Sequence, residues 1–259
     1  MSILTWLWES TWVTVEGAVA LVGLGLFALL VLGLTLRARR RPFAVRSLSA
    51  VEVLRTAVAR ATETGEEMHV ALGTGGLGDF STTETLAGLV AVSFVARRAA
   101  LVEIPVRARV AEPTALAGAL AVLQHGAEEA AYYETFDPTQ GEFVSPAPLA
   151  YGAGVATALR RERVGGSALI GRFGPEVLLP GEAGTERGLP QVGGTTDPTV
   201  LPLFLAATPN PLVGEEIFAL GPGLGRPEHT GSLAAQDIFR VLLILGVLAA
   251  TAVALARTI

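Results

Sequence analysis

Residues 68–84, MHVALGTGGLGDFSTTE, carry an apolar strand, a glycine-rich turn and a helix start, and the rest of the chain is organised around them. The run HVAL (69–72) lies between polar residues and glycines, as a buried strand of a parallel sheet does. Gly73, Gly75, Gly76 and Gly78 then permit a sharp turn, a positive φ or a close approach by another group. The spacing Gly73-x-Gly75-x-x-Gly78 matches the dinucleotide-binding fingerprint. Two details oppose that reading. Ser81 with Glu84 reads as an S-x-x-E capping box, which starts the helix at Ser81 rather than inside the glycine run, where its amides would meet a pyrophosphate. Asp79 and Glu84 also place negative charge where a phosphate would sit, and the next strand, VEIPVRARV, ends near Arg107 and Arg109, with Glu112 only afterwards.

Beyond this stretch, strand and helix alternate. The pattern predicts a helix over 82–100, a strand over 102–110 and a helix over 113–131 opened by Pro113. A helix over 150–161, a strand over 167–173 and a weak helix over 175–187 follow. Strands over 189–193 and 201–207 complete the series, with a polar turn at 194–197 between them. Residues 132–147, YYETFDPTQGEFVSPA, break the periodicity and read as a loop, covering flap or subunit contact. The expected fold is α/β, with about five parallel strands in a Rossmann-like sheet and right-handed crossovers.

In such a sheet ligands sit beyond the carboxyl ends of the strands. Those ends bring forward Thr74, Gly75, Gly76, Asp79, Arg172, Thr195, Thr196 and Asp197 as candidate ligand-binding residues, with Arg107 or Arg109, Glu176 and Thr208 to Asn210 at the same edge. The competing reading is that threonine and aspartate cap helices and turns there. His125 stands alone within its helix, without a second ligand at metal-binding spacing. Glu215 and Glu216 are adjacent, so on a helix they diverge by about 100° and do not form a carboxylate dyad.

Working back toward the N-terminus, residues 17–36, GAVALVGLGLFALLVLGLTL, form a charge-free run long enough to cross a bilayer. Glu9 and Glu16 precede it, while Arg37, Arg39, Arg40, Arg41 and Arg46 follow it, which predicts a retained anchor with its arginine end in the cytoplasm. Trp6, Trp8 and Trp12 fit an interfacial belt on the outer side. A second apolar segment, 238–259, has 16 uncharged residues between Arg240 and Arg257 and no polar face. It spans if both arginines snorkel. The organisation expected is therefore an N-terminal extracytoplasmic or interfacial stretch (1–16), a transmembrane helix (17–36) and an arginine-rich juxtamembrane segment (37–46). A cytoplasmic α/β domain (47–224), a linker (225–237) and a second transmembrane helix (238–259) follow. This places the protein as multi-pass in the inner (plasma) membrane, with both termini outside.

Composition narrows the chemistry. The 259 residues are 51% hydrophobic and include no cysteine and no lysine. Thiolate nucleophiles, thiolate zinc sites, Schiff bases and the lysine of a phosphate-binding loop are all excluded. Between residues 47 and 235 stand 21 acids and 12 arginines, so nucleic acid is not an expected partner. The lipid bilayer is the expected partner, anionic lipid meeting the arginine cluster; a homo-oligomer and a small-molecule ligand are further possibilities, and no cofactor is identified.

The segments GTGGLG followed by TTETLAGL, RFGPE and LVGEEIFALG resemble those of an uncharacterised bacterial membrane-protein family, classed as a domain of unknown function. The resemblance covers about residues 48–224. It implies a membrane-anchored α/β domain and carries over no activity and no catalytic residues. The sequence thus leaves two functions open: a noncatalytic binding or scaffolding module, with self-association as one form of it, or a membrane-bound enzyme acting on a nucleotide or small metabolite at the glycine turn. What separates them is whether the amides from Thr74 to Asp79 converge on an empty pocket.

Overall fold

The computed structural model describes residues 15–41, 48–130, 136–224 and 229–258. They fall into two compact units, Met1–Val45 with Arg226–Ile259, and Arg46–Gly225. In the first, helix α1 (Val15–Arg40) ends in Arg37, Arg39 and Arg40, placed to complement its dipole. Among the described residues one helical segment is long and apolar enough to cross a membrane, Ala20–Arg40, with a mean hydropathy of 2.2. Trp6, Trp8, Trp12 and Arg46 lie outside the described residues.

The second unit opens with α2 (Ser49–Thr64), which Gly65 stops at φ 65° by donating its N–H to the Ala61 carbonyl. Ser49 and Glu52 have the S-x-x-E spacing of a capping box, but none is made. Leu48 is the N-cap, and Glu52 instead pairs with Arg55 at 2.8 Å. Next come β1 (Glu67–Gly73), α3 (Thr82–Ala100), β2 (Val106–Val110), α4 (Pro113–Glu129) and β3 (Gly141–Phe143). The second half adds α5 (Pro148–Arg161), β4 (Val164–Arg172), α6 (Leu178–Glu186), β5 (Gln191–Thr195), α7 (Leu201–Ala207) and β6 (Asn210–Val213).

The sheet has six strands rather than five, in the order β3-β2-β1-β4-β5-β6, and every pairing is parallel. Two strands escaped the sequence because they are short and edge-placed. β3 is three residues inside the acidic 132–147 stretch, of which residues 132–135 lie outside the described ones. β6 opens on Asn210-Pro211, which reads as a turn. The segment 201–207 is a helix, not a strand. Its uniform apolar run hides the period, but Val200, Phe204 and Ala207 are the buried positions, at helical spacing, and Pro202 sits in the first turn. As a consequence Thr208 and Asn210 lie at the amino end of β6, away from the carboxyl edge.

Two hydrophobic clusters make this a three-layer sandwich. Met68, Val70 and Leu72 of β1 pack with α2, α3 and α4, while Ala71 and Leu169 pack with α5, α6 and α7. Strand β1 and its neighbour β4 are buried on both faces, which explains why neither shows alternation. The α5 side is partly polar: Arg107, His69, Ser167 and Gln191 form one row across β2, β1, β4 and β5.

Tyr151 of α5 ties this face together. Its buried hydroxyl donates to the Arg109 carbonyl at 2.9 Å and accepts from the Gly73 N–H at 3.0 Å. Burial pushes this phenol above its usual range, so it stays a donor at every working pH. Tyr151→Phe leaves a buried amide and a buried carbonyl without that hydroxyl, and an expected loss of about 2–3 kcal/mol follows. Pulse proteolysis in urea checks this; a loss below about 0.5 kcal/mol contradicts it.

In the first unit the last helix, α8 (His229–Thr258), takes in residues read above as linker. It packs on α1: the rings of Phe27 and Phe239 are 4.8 Å apart, and Gly231 lies against Leu34 and Thr35. Those two contacts fix an antiparallel pair, because residue numbers rise on one helix as they fall on the other.

Candidate functional site

Strands β2 and β3 extend from one side of β1, and β5 and β6 from the far side of β4, so the chain reverses its direction of travel between β1 and β4. That switch point is where a doubly wound sheet opens a crevice, and the glycine turn lies at its carboxyl end. Gly73 has φ 76°, and a Cβ there would lie 1.9 Å from the Arg172 carbonyl oxygen. Thr74 N–H donates to that same carbonyl at 2.7 Å. The turn is therefore fastened to the end of β4 before the glycine run begins.

Four of the amides that follow are already engaged. Gly76 N–H donates to Ser81 Oγ (3.0 Å), Leu77 N–H to Thr114 Oγ1 (2.7 Å), and Gly78 and Asp79 N–H to Thr82 Oγ1 (2.8 and 3.1 Å). The hydroxyls of the chain itself thus occupy the places that phosphate oxygens take in a nucleotide site. Helix α3 begins at Thr82, and the capping box of Ser81 and Glu84 is not formed. Ser81 donates to Asp79 Oδ1 at 2.5 Å. Glu84, only 3% exposed, turns across to β5, accepting from Thr195 Oγ1 at 3.2 Å, from Thr196 N–H at 2.9 Å and from the Thr196 hydroxyl.

Arg172 joins the parts. Its guanidinium lies 4.8 Å from the ring centroid of the exposed Phe80 and 3.9 Å from Glu84. Its charge also reaches Asp79 and Asp197. Hydrogen bonds from Ser81 hold Asp79 below the usual carboxylate range, and those from Thr199 do the same for Asp197, with Arg172 reinforcing both. The fold therefore gathers Thr74, Gly75, Asp79, Thr195, Thr196 and Asp197 around Arg172 and Glu84 at the carboxyl edge of the sheet, with Gly76 beside them. Three acids face one arginine, so the crevice disfavours anions.

Glu112 is the group that sequence reading placed too far along. It stands two residues past β2, yet its carboxylate reaches the Gly76 Cα, where an added Cβ would lie 2.8 Å from Oε2. It also caps α4, accepting from Thr114 N–H (2.6 Å) and Ala115 N–H (3.1 Å). The end of β2 thus carries an acid beside the glycine turn after all.

The other edge candidates go elsewhere. Arg107 and Arg109 point into the α5 side of the sheet, not into the crevice; Arg109 bonds Glu142 and Glu162 at 2.7 and 2.6 Å. His125 is a surface residue near Glu128 and Glu129, and Glu216 accepts from Val213 N–H within a 3₁₀ turn. Among the described residues no cluster of three metal-binding side chains occurs. Among the described residues two serines stand beside a candidate base, and both are buried: Ser81 next to Asp79, whose lowered proton affinity makes it a poor base, and Ser167 on the α5 side of the sheet, 3.1 Å from His69 Nδ1.

These features define a doubly wound parallel α/β protein that also bears an apolar helix of membrane-spanning length. The chain belongs to the family described as a domain of unknown function, DUF6754, whose model matches residues 8–259. No curated protein and no solved structure matches it.

Proposed function

We propose that this protein is a membrane-anchored α/β binding or scaffolding module, and that its glycine turn is architecture rather than a phosphate cradle. The observation that carries this reading is the engagement of the Gly76, Leu77, Gly78 and Asp79 amides by Ser81, Thr82 and Thr114. A phosphate entering the turn would have to displace four hydrogen bonds and sit among Asp79, Glu84 and Glu112. A small polar, uncharged or cationic ligand suits the crevice better, or a partner surface presenting such groups.

Anchoring by two spans is part of the same proposal. Helix α8 runs antiparallel beside α1, so a plane crossed by one is crossed by the other. Its consecutive residues Val241 to Leu245 are all more than half exposed, as lipid-facing residues on every side of a helix would be. With arginines at the inner end of α1, the α/β unit lies on the cytoplasmic side of the plasma membrane.

A second reading, an enzyme acting on a nucleotide or small metabolite, draws on the strand order and on Glu112 beside Gly76, where an acid would meet a ribose. Native mass spectrometry of the full-length protein, gently extracted, separates the two, with thermal shifts in ATP, NADH and FAD alongside. A nucleotide at ten times its Kd stabilises by about 1.4 kcal/mol, or about 3–6 °C for a unit of this size. We expect no nucleotide-sized adduct and shifts below about 1 °C at about 1 mM nucleotide, a level ten times any Kd of about 0.1 mM. A retained adduct lost on Gly75→Val favours an enzyme or ligand-binding site centred on the turn and overturns its reading as architecture.

A further inference from the structure

The segments that leave the carboxyl ends of the six strands share one sign of charge. Residues 74–81, 111–112, 144–147, 173–177, 196–200 and 214–219 contain Asp79, Glu112, Glu176, Asp197, Glu215 and Glu216, and no basic residue. In an all-parallel sheet these segments lie along one edge. Arginines gather at the opposite edge, where α3 ends in Arg97 and Arg98 and α5 in Arg160 and Arg161, each helix having run back beside the sheet. Arg172, the last residue of β4, adjoins the acidic edge and shows how that edge takes a guanidinium.

The Arg172 guanidinium is stacked over the Phe80 ring at 4.8 Å. Phe80 is still 83% exposed, the most exposed large apolar side chain among the described residues, so the ring face turned away from Arg172 is open to water. The turn that carries it is fastened, since Thr82 holds the Gly78 and Asp79 amides. The neighbouring carboxylates are also set in place. Asp79 Oδ1 accepts from the Ser81 N–H and hydroxyl, and Asp197 Oδ1 from the Thr199 N–H and hydroxyl. The Oδ2 atom of each has no partner among the described residues.

We propose that this edge is a docking surface for an arginine-bearing segment of a partner polypeptide, one guanidinium stacking on the open face of Phe80 while Asp79 and Asp197 meet the segment's charge. The inference rests on reading the protein as a binding module, and it gives the partner of that module its chemistry.

Charge decides the sign of the partner, and length decides its kind. Six strands about 4.8 Å apart spread the acids over about 24 Å, the reach of about seven extended residues and well beyond a single metabolite. A bilayer suits the edge less, because the cytoplasmic leaflet is itself anionic and would meet only acids in these segments. An aromatic face with a carboxylate beside it selects guanidinium over ammonium, which is more strongly hydrated and does not stack. Because Phe80 and the two Oδ2 atoms are already in position, little ordering is lost on docking.

The test is fluorescence anisotropy of a labelled eight-residue peptide of alternating glycine and arginine, titrated with the full-length protein in nonionic detergent at about 50 mM salt, where surface charges are weakly screened. Binding is expected. Phe80→Ser, which changes no charge, should weaken it about threefold to fivefold, and Phe80→Trp should tighten it. The same peptide with lysine for arginine should bind less well. No binding of the arginine peptide, or equal affinity in wild type and Phe80→Ser, overturns the proposal. That failure leaves the outcome for Gly75→Val unchanged, because the peptide does not use the glycine-turn amides, so loss of this inference and loss of the module reading are told apart. Since the chain has no cysteine, Phe80→Cys can also carry a single polarity-sensitive dye. A blue shift of that dye on reconstitution into vesicles of phosphatidylcholine and phosphatidylglycerol gives the edge to the bilayer and overturns the proposal as well.

Discussion

Gly73→Ala is expected to unfold the α/β unit, or to leave it so destabilised that only insoluble protein is recovered. Two costs coincide at this position. A φ of 76° charges any L side chain about 1–2 kcal/mol. The added Cβ would also lie 1.9 Å from the Arg172 carbonyl oxygen and 2.6 Å from its carbon, which are backbone atoms and cannot swing aside. Relief requires β1 and β4 to part at the switch point, breaking the Thr74-to-Arg172 bond and displacing Gly73 from Tyr151. Together these reach about 4–6 kcal/mol, comparable to the whole stability of many domains. Gly65 separates the two costs, having φ 65° with nothing within 4 Å of an added Cβ. Gly65→Ala should lose only about 1 kcal/mol in pulse proteolysis. If Gly73→Ala loses no more than Gly65→Ala, the close approach of the two strands is not what requires glycine there.

That comparison also shows what the sequence could and could not disclose. Glycines announce a turn after β1, and the alternation of strand and helix announces a parallel sheet, because both follow from local chemistry. Which glycine is obligatory depends on Arg172, 99 positions away, and no local pattern contains it. The same limit applies to the crevice. Strand ends picked out Thr74, Asp79, Arg172, Thr195, Thr196 and Asp197, since an all-parallel sheet puts such ends together wherever its order lies. The partners were not legible. Ser81 and Glu84 have capping-box spacing, yet Glu84 is spent on Thr195 and Thr196 of the next layer of chain, and Ser81 on the glycine turn. Tertiary hydrogen bonds outcompeted the local ones because Glu84 is buried, and a buried carboxylate must be fully satisfied. Segment 201–207 failed for a different reason: seven residues without a polar position carry no period, so strand and helix look alike.

Arg109→Leu should carry the second large effect, a loss of about 3 kcal/mol, with β3 detaching before the rest of the sheet. Arginine in a β-strand under a helix is costly to desolvate, and it is retained here because β3 has little else to hold it. None of its three residues is buried, so the hydrophobic effect contributes almost nothing to docking this strand. The fork of Arg109 supplies the missing attachment by joining Glu142 on the strand to Glu162 at the end of α5. Leucine fills part of the volume but leaves both acids unpaired. Since their side chains are 46% and 39% exposed, they can rehydrate, which places the loss at the low end of the range for broken buried pairs. Arg109→Lys keeps the charge without the fork and can serve only one carboxylate at a time, so an intermediate loss of about 1–2 kcal/mol is expected. Pulse proteolysis in urea, with exchange of the Gly141–Phe143 amides measured alongside, orders the three proteins. An Arg109→Leu protein as stable as the wild type would mean that desolvating the guanidinium costs as much as its pairs return, and β3 would then be held by its three residues of pairing alone.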